Sequence, residues 1–126
     1  MKVIAALHQR GDTMTRQRVV PTEGARLVLD TLGAQVRIER NRHKWTAEEL
    51  GRRAGVGPRT VTALEKGSPA VSLGNAIEIA LAAGVNLLGA DHPDALRGIA
   101  AVHREAVSLL PRRVVRRDLG DDGVDF

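Results

Sequence analysis

Arg59, Thr62, Ala63 and Lys66 recur at the three- and four-residue intervals that place side chains on one side of a helix, and Pro58 stands where such a helix would begin. That side offers a guanidinium, a hydroxyl, a methyl and an ammonium, with little bulk between them. The set suits the major groove of DNA, where arginine forks onto guanine and small apolar groups meet the thymine methyl. Val61, Leu64 and Glu65 lie together on the other side and are expected to face a core. The competing reading is a solvated face, as most charged helix faces are. The residues before Pro58 favour nucleic acid.

Those residues have the form of a positioning device. Thr46-Ala47-Glu48-Glu49 fits a capping box, in which the threonine hydroxyl accepts from an early N–H and Glu49 reaches back to the cap. Trp45 and Leu50 are spaced as a hydrophobic staple, which sets the angle of entry. Ala47, Leu50, Gly51 and Ala54 then share one face. Gly55-Val56-Gly57 ends that helix and Pro58 restarts one at once. The spacing predicts a helix, a short glycine-containing turn and a second helix.

Three further helices are expected around this pair. Pro21-Thr22-Glu23 opens the first, with Thr22 as cap and Ala25, Leu29, Leu32 and Val36 as its inner stripe. Arg40 is the next position on that stripe. A buried charge needs a partner, and Glu65 on the inward side of its own helix is the choice; the rival is an Arg40 that reaches water. Arg42, His43 and Lys44 form a basic turn that either touches phosphate or is solvated. Ser72 caps a later helix with inner stripe Leu73, Ala76, Ile77, Ala80 and Leu81, closed by Gly84. Ile79 and Val85 fall off that stripe and suggest a second apolar surface. Asp91-His92-Pro93-Asp94 signals a last helix, with Leu96, Ile99, Ala100, His103, Val107 and Leu110 along one side and Arg97, Arg104 and Ser108 along another.

The run LGAQVRIERNRHKWTAEELGRRAGVGPRTVTALEKG, followed by SLGNAIEIALAAGVNLL, resembles the Xre/Cro/C1-type helix-turn-helix domain over about half of the chain. The resemblance implies an all-α fold, a compact five-helix, lambda-repressor-like bundle with flexible N- and C-terminal tails. It implies a transcriptional regulator, a repressor, acting as a homodimer on double-stranded DNA with a palindromic operator. By position, the helix starting at Pro58 matches the recognition helix, with Arg59 and Ala63 facing bases. Thr60 and the Thr46–Ala47 helix start match phosphate-contacting positions; Thr62 and Lys66 join the DNA-binding face by their spacing on that helix and not by the resemblance. Arg40 and Glu65 match a structural salt bridge of the family. Ala63 departs from the pattern, since many members carry a long polar side chain there, which shifts the burden of base readout to Arg59.

Composition bounds these readings. The chain has 126 residues, 43% hydrophobic and only 2% aromatic, so its core must be built from Leu, Val, Ile and Ala, which favours helices over strands. The formal charge of +4 and pI near 10.6 fit a polyanionic partner. The preference for arginine over lysine also fits a genome rich in G and C. Absence of cysteine excludes disulfides and thiolate metal sites, and His8, His43, His92 and His103 show no metal-ligand spacing. With no paired carboxylates, nucleophile elbow or phosphate-binding glycine loop, the chain does not read as an enzyme, and neither cofactor nor metal is implied. No apolar run is long enough to span a bilayer, so a cytoplasmic protein without membrane contact is expected.

The expected organisation is a flexible basic arm over residues 1–21, a helix-turn-helix domain over 22–90, a C-terminal helix over 91–110 and a charged tail over 111–126. Met14 is an alternative start. In the tail, Arg112, Arg113, Arg116 and Arg117 precede Asp121, Asp122 and Asp125, a segregation that usually stays disordered. Small regulators of this type with a short C-terminal extension resemble HipB-type antitoxins, which neutralise and co-repress with a HipA-like kinase toxin. A stand-alone regulator is the other reading within the family. From a different class, the chain reads as a protein-binding adaptor or inhibitor in which DNA contact is secondary or lost.

Overall fold

Short polar side chains and glycines punctuate the chain into helices. The computed structural model describes residues 20–114 and Arg116, and among them are five α-helices and no strand. These are α1 (Glu23–Arg42), α2 (Ala47–Ala54), α3 (Pro58–Glu65), α4 (Leu73–Ala83) and α5 (Ala95–Ser108). Thr22 and Ser72 each accept from the backbone N–H three residues on, at 3.2 and 3.1 Å, and so open α1 and α4. Thr46 opens α2 with a complete capping box: its hydroxyl accepts from Glu49 N at 3.1 Å, while Thr46 N donates to the Glu49 carboxylate at 3.0 Å.

The described residues fall into two units divided between Gly89 and Ala90. In the first, α1 to α4 enclose Val36, Leu50, Val61, Leu64 and Ile79, all essentially without solvent exposure, together with Ala76, Ala80, Ala83 and Val85. Each of the larger side chains contributes about 1.5–3 kcal/mol of transfer free energy. Small residues let the helices close on one another. Gly33 of α1 lies against the end of α3, so near that an added Cβ would collide with the Leu64 carbonyl oxygen and stand 2.8 Å from that of Glu65. No side chain but glycine's fits there.

Two expected stripes are displaced. On α1, Leu32 and Val36 face the core, but Ala25 is exposed and Leu29 only half-buried; the inner face is completed by Gly33. On α4 the phase is rotated. Ala76, Ile79, Ala80 and Ala83 point inward, Leu73 and Ile77 point outward, and Leu81 is half-buried. Ile79 and Val85 are therefore core residues, not a second apolar surface. The reason is that α4 is apolar almost all round, so periodicity does not define its buried side.

In the second unit, α5 begins after Asp94 without a side-chain cap and has no buried residue. Its apolar stripe of Leu96, Ile99, Ala100, His103 and Val107 is thus exposed or half-buried throughout, and Leu110, expected at the end of that stripe, lies beyond the helix. His103 Nδ1 donates to the Ile99 carbonyl one turn back, at 2.8 Å. The arm expected over 1–21 and the tail over 111–126 lie outside the described residues, apart from Val20, Pro21, residues 111–114 and Arg116.

Candidate nucleic-acid interface

The turn between α2 and α3 is set by Gly55, whose φ of 77° is left-handed and open to glycine at little cost. Val56 N then returns to the Gly51 carbonyl at 2.8 Å, closing α2. Gly57 supplies the extended residue before Pro58, which takes the first helical position of α3 without wasting an N–H. α3 is held by its underside, where Val61 and Leu64 are fully buried.

Arg40 and Glu65 brace the same helix. Arg40 Nε donates to Glu65 Oε2 at 2.6 Å and Nη2 to Oε1 at 2.9 Å, a two-pronged pair. Arg40 Nη1 also donates to the Trp45 carbonyl at 2.9 Å. One guanidinium thereby ties α1, the end of α3 and the entry to α2. The hydrogen bonds to Glu65 raise the Arg40 pKa more than burial lowers it, so the guanidinium stays charged. Trp45 itself is packed against the core, stacks on the His43 ring at 4.1 Å, and carries the Arg53 guanidinium 4.1 Å from its ring centroid. The approach to α2 is accordingly held by contacts from α1, from the preceding turn and from α2 itself.

The other side of α3 is a shallow depression lined by Pro58, Arg59, Thr62, Ala63, Lys66 and Ser68. No acidic side chain is among them. Arg59 and Lys66 are exposed, while Thr62 and Ala63 are half-buried between them. The depression gathers Pro58, Arg59, Thr62, Ala63 and Lys66 but not Thr46, Ala47 or Thr60. Thr46 is exposed at the α2 start, Ala47 packs towards the core, and Thr60 is half-buried in the first turn of α3.

Ser68 is the lining residue that sequence reasoning placed only in a loop. Gly67, with φ of 77°, turns the chain back so that Ser68 N reaches the Ala63 carbonyl at 3.0 Å. This is the glycine-terminated helix end that brings the second following residue onto the last turn. The Lys66-Gly67 pair was the available signal. Ser68 Oγ accepts from Ala70 N at 3.1 Å, which leaves its proton for a ligand.

Residues 36–89 match the family model described as Helix-turn-helix. Over that segment the chain is a helix-turn-helix domain of the Xre/Cro/C1 type, a family of DNA-binding transcription regulators. No curated protein and no solved structure shows a significant match to the chain. Among the described residues, no helix is long and apolar enough to cross a membrane.

Proposed function

We propose that this protein is a repressor whose α3 reads bases in the major groove of an operator. The observation that carries the reading is the acid-free outer side of α3, with two cations flanking small groups, above a fully buried underside. Arg59 reads a base edge, Thr62, Ala63 and Lys66 complete the readout, and Thr46, Ala47 and Thr60 set register against phosphates. A homodimer places two such helices in successive major grooves about 34 Å apart, which requires a palindromic operator. The organisation that serves this function is an arm over 1–21, the DNA-binding domain over 22–90, a helix over 91–110 and a charged tail.

A gel shift with the DNA upstream of the protein's own gene, run at two salt concentrations with random duplex as competitor, tests the proposal. Retention of the specific complex at the higher salt supports base readout. Equal loss of both complexes removes it, because purely electrostatic binding is insensitive to sequence.

A second reading has its own support. Leu73 of α4 is 76% exposed, and α5 presents an apolar stripe with no buried member. Apolar surface of this kind fits a protein partner. In that reading the chain is an antitoxin that binds a HipA-like kinase and co-represses with it, or an adaptor for which DNA is secondary. Co-purification with the product of the adjacent gene separates this from a stand-alone repressor.

A further inference from the structure

We propose that Thr62 reads a thymine methyl group, and that the sequence recognised by α3 therefore places a thymine beside the guanine read by Arg59. The inference rests on the DNA-reading assignment above and goes beyond it by naming the base chemistry.

Thr62 Oγ1 donates to the Pro58 carbonyl one turn earlier in α3, at 3.0 Å. The Pro58 carbonyl is thereby engaged from within the helix, and the threonine proton is committed to it. A threonine so placed would have to give up that bond before donating to guanine N7 or O6 or to adenine N7. What it offers without that loss is its Cγ2 methyl and the outer lone pairs of its oxygen. Beside it, Ala63 can offer only a methyl. Both residues line the floor between Arg59 and Lys66, and both are half-buried. The centre of the reading surface is thus apolar, and its polar readers stand at the margins.

Of the groups displayed in the major groove, only the thymine C5 methyl gains from an apolar floor. The amino groups of adenine and cytosine would keep a hydrogen bond only through the lone pairs of Thr62 Oγ1. Arg59, one turn before Thr62 on the same side, is exposed and suited to forking onto guanine O6 and N7. Base pairs read by neighbouring turns of one helix are themselves neighbours. A guanine and an adjacent thymine are the pair that satisfies both residues.

The test uses the full chain and a randomised duplex pool. Sequences enriched over several rounds should share a guanine next to a thymine. A selected duplex is then resynthesised with deoxyuridine in place of each thymine in turn, which removes the methyl and nothing else. Substitution at the thymine beside the guanine should weaken binding about fourfold, the value of one buried methylene-sized group. Thr62→Ser keeps the hydroxyl and removes the methyl, so with this variant the preference for thymine over deoxyuridine should fall, only the Ala63 methyl remaining on the floor, with circular dichroism confirming that the variant remains folded. A wild-type protein indifferent to every deoxyuridine overturns the inference, as does a thymine preference undiminished in Thr62→Ser. Absence of any enriched sequence overturns the base-reading assignment as a whole, and so is distinguishable from failure of the methyl reading alone.

Discussion

Arg40 and Glu65 join α1 to the end of α3 across 25 residues of chain, through a pair whose side chains retain only 16% and 8% of their exposure. Removing one partner leaves the other charge largely desolvated, which costs more than the pair itself contributes. Glu65→Ala is expected to destabilise the domain by about 2 kcal/mol, and so to lower Tm by on the order of 10 °C for a domain of this size. The raised Arg40 pKa belongs to a cation, so its stabilising effect is complete below the unfolded pKa and is lost only as pH rises through the folded value. That window lies in strong alkali. Thermal melts of the wild type and of Glu65→Ala will measure the loss; coincident curves would dismiss the pair as a brace.

Gly33 and Gly24 both lie on α1, and replacement by alanine should move stability in opposite directions. Alanine gains about 1 kcal/mol of helix propensity in a helix interior, as at Gly33, and less in the first turn, where Gly24 lies. At Gly24 nothing lies within 4 Å of the added Cβ, so the gain stands. At Gly33 the Cβ meets the backbone carbonyls of Leu64 and Glu65, which cannot rotate away as a side chain can. The expected net loss is about 2 kcal/mol, towards the upper end of overpacking costs. Urea midpoints of the two variants provide the comparison, and a stabilised Gly33→Ala would contradict the packing described for α1 on α3.

Arg59→Ala is expected to cost about 1–3 kcal/mol on the preferred duplex and to relax preference at one base position. On random duplex the loss should be much smaller. Wild-type binding should fall with salt by about 0.9 log units per log unit of salt for each phosphate neutralised. Titrations of both proteins against both duplexes decide the matter, since equal losses would make Arg59 a phosphate contact.

Lys44 terminates α1 with φ of 59°, a left-handed conformation that costs a side chain about 1–2 kcal/mol. Lys44→Gly relieves that strain but adds freedom to the unfolded chain. A net gain of about 0.5–1 kcal/mol is expected, read as a raised denaturation midpoint. A fall in stability would mean that the lysine side chain makes a stabilising contact of its own. A reduced salt slope of DNA binding in the same variant would assign the ammonium to a phosphate.

The helix boundaries and the two-sided character of α3 were determined by residues close in sequence. Thr22, Thr46 and Ser72 cap by reaching three residues along the chain, Gly55 and Gly84 end helices by their own backbone freedom, and Pro58 starts one for the same local reason. Hydrogen bonds of that range need no knowledge of the rest of the molecule. Tertiary structure decided the remainder. An α4 apolar on nearly every side is compatible with several orientations, and only packing against its neighbours turned Ile79 inward and Leu73 outward. The contact of Gly33 with α3, and the return of Ser68 over the last turn of that helix, depend on where backbones meet in space. Periodicity records which side of a helix is greasy; when most sides are, or when the deciding group is a glycine with no side chain to count, only the packed structure assigns the buried side.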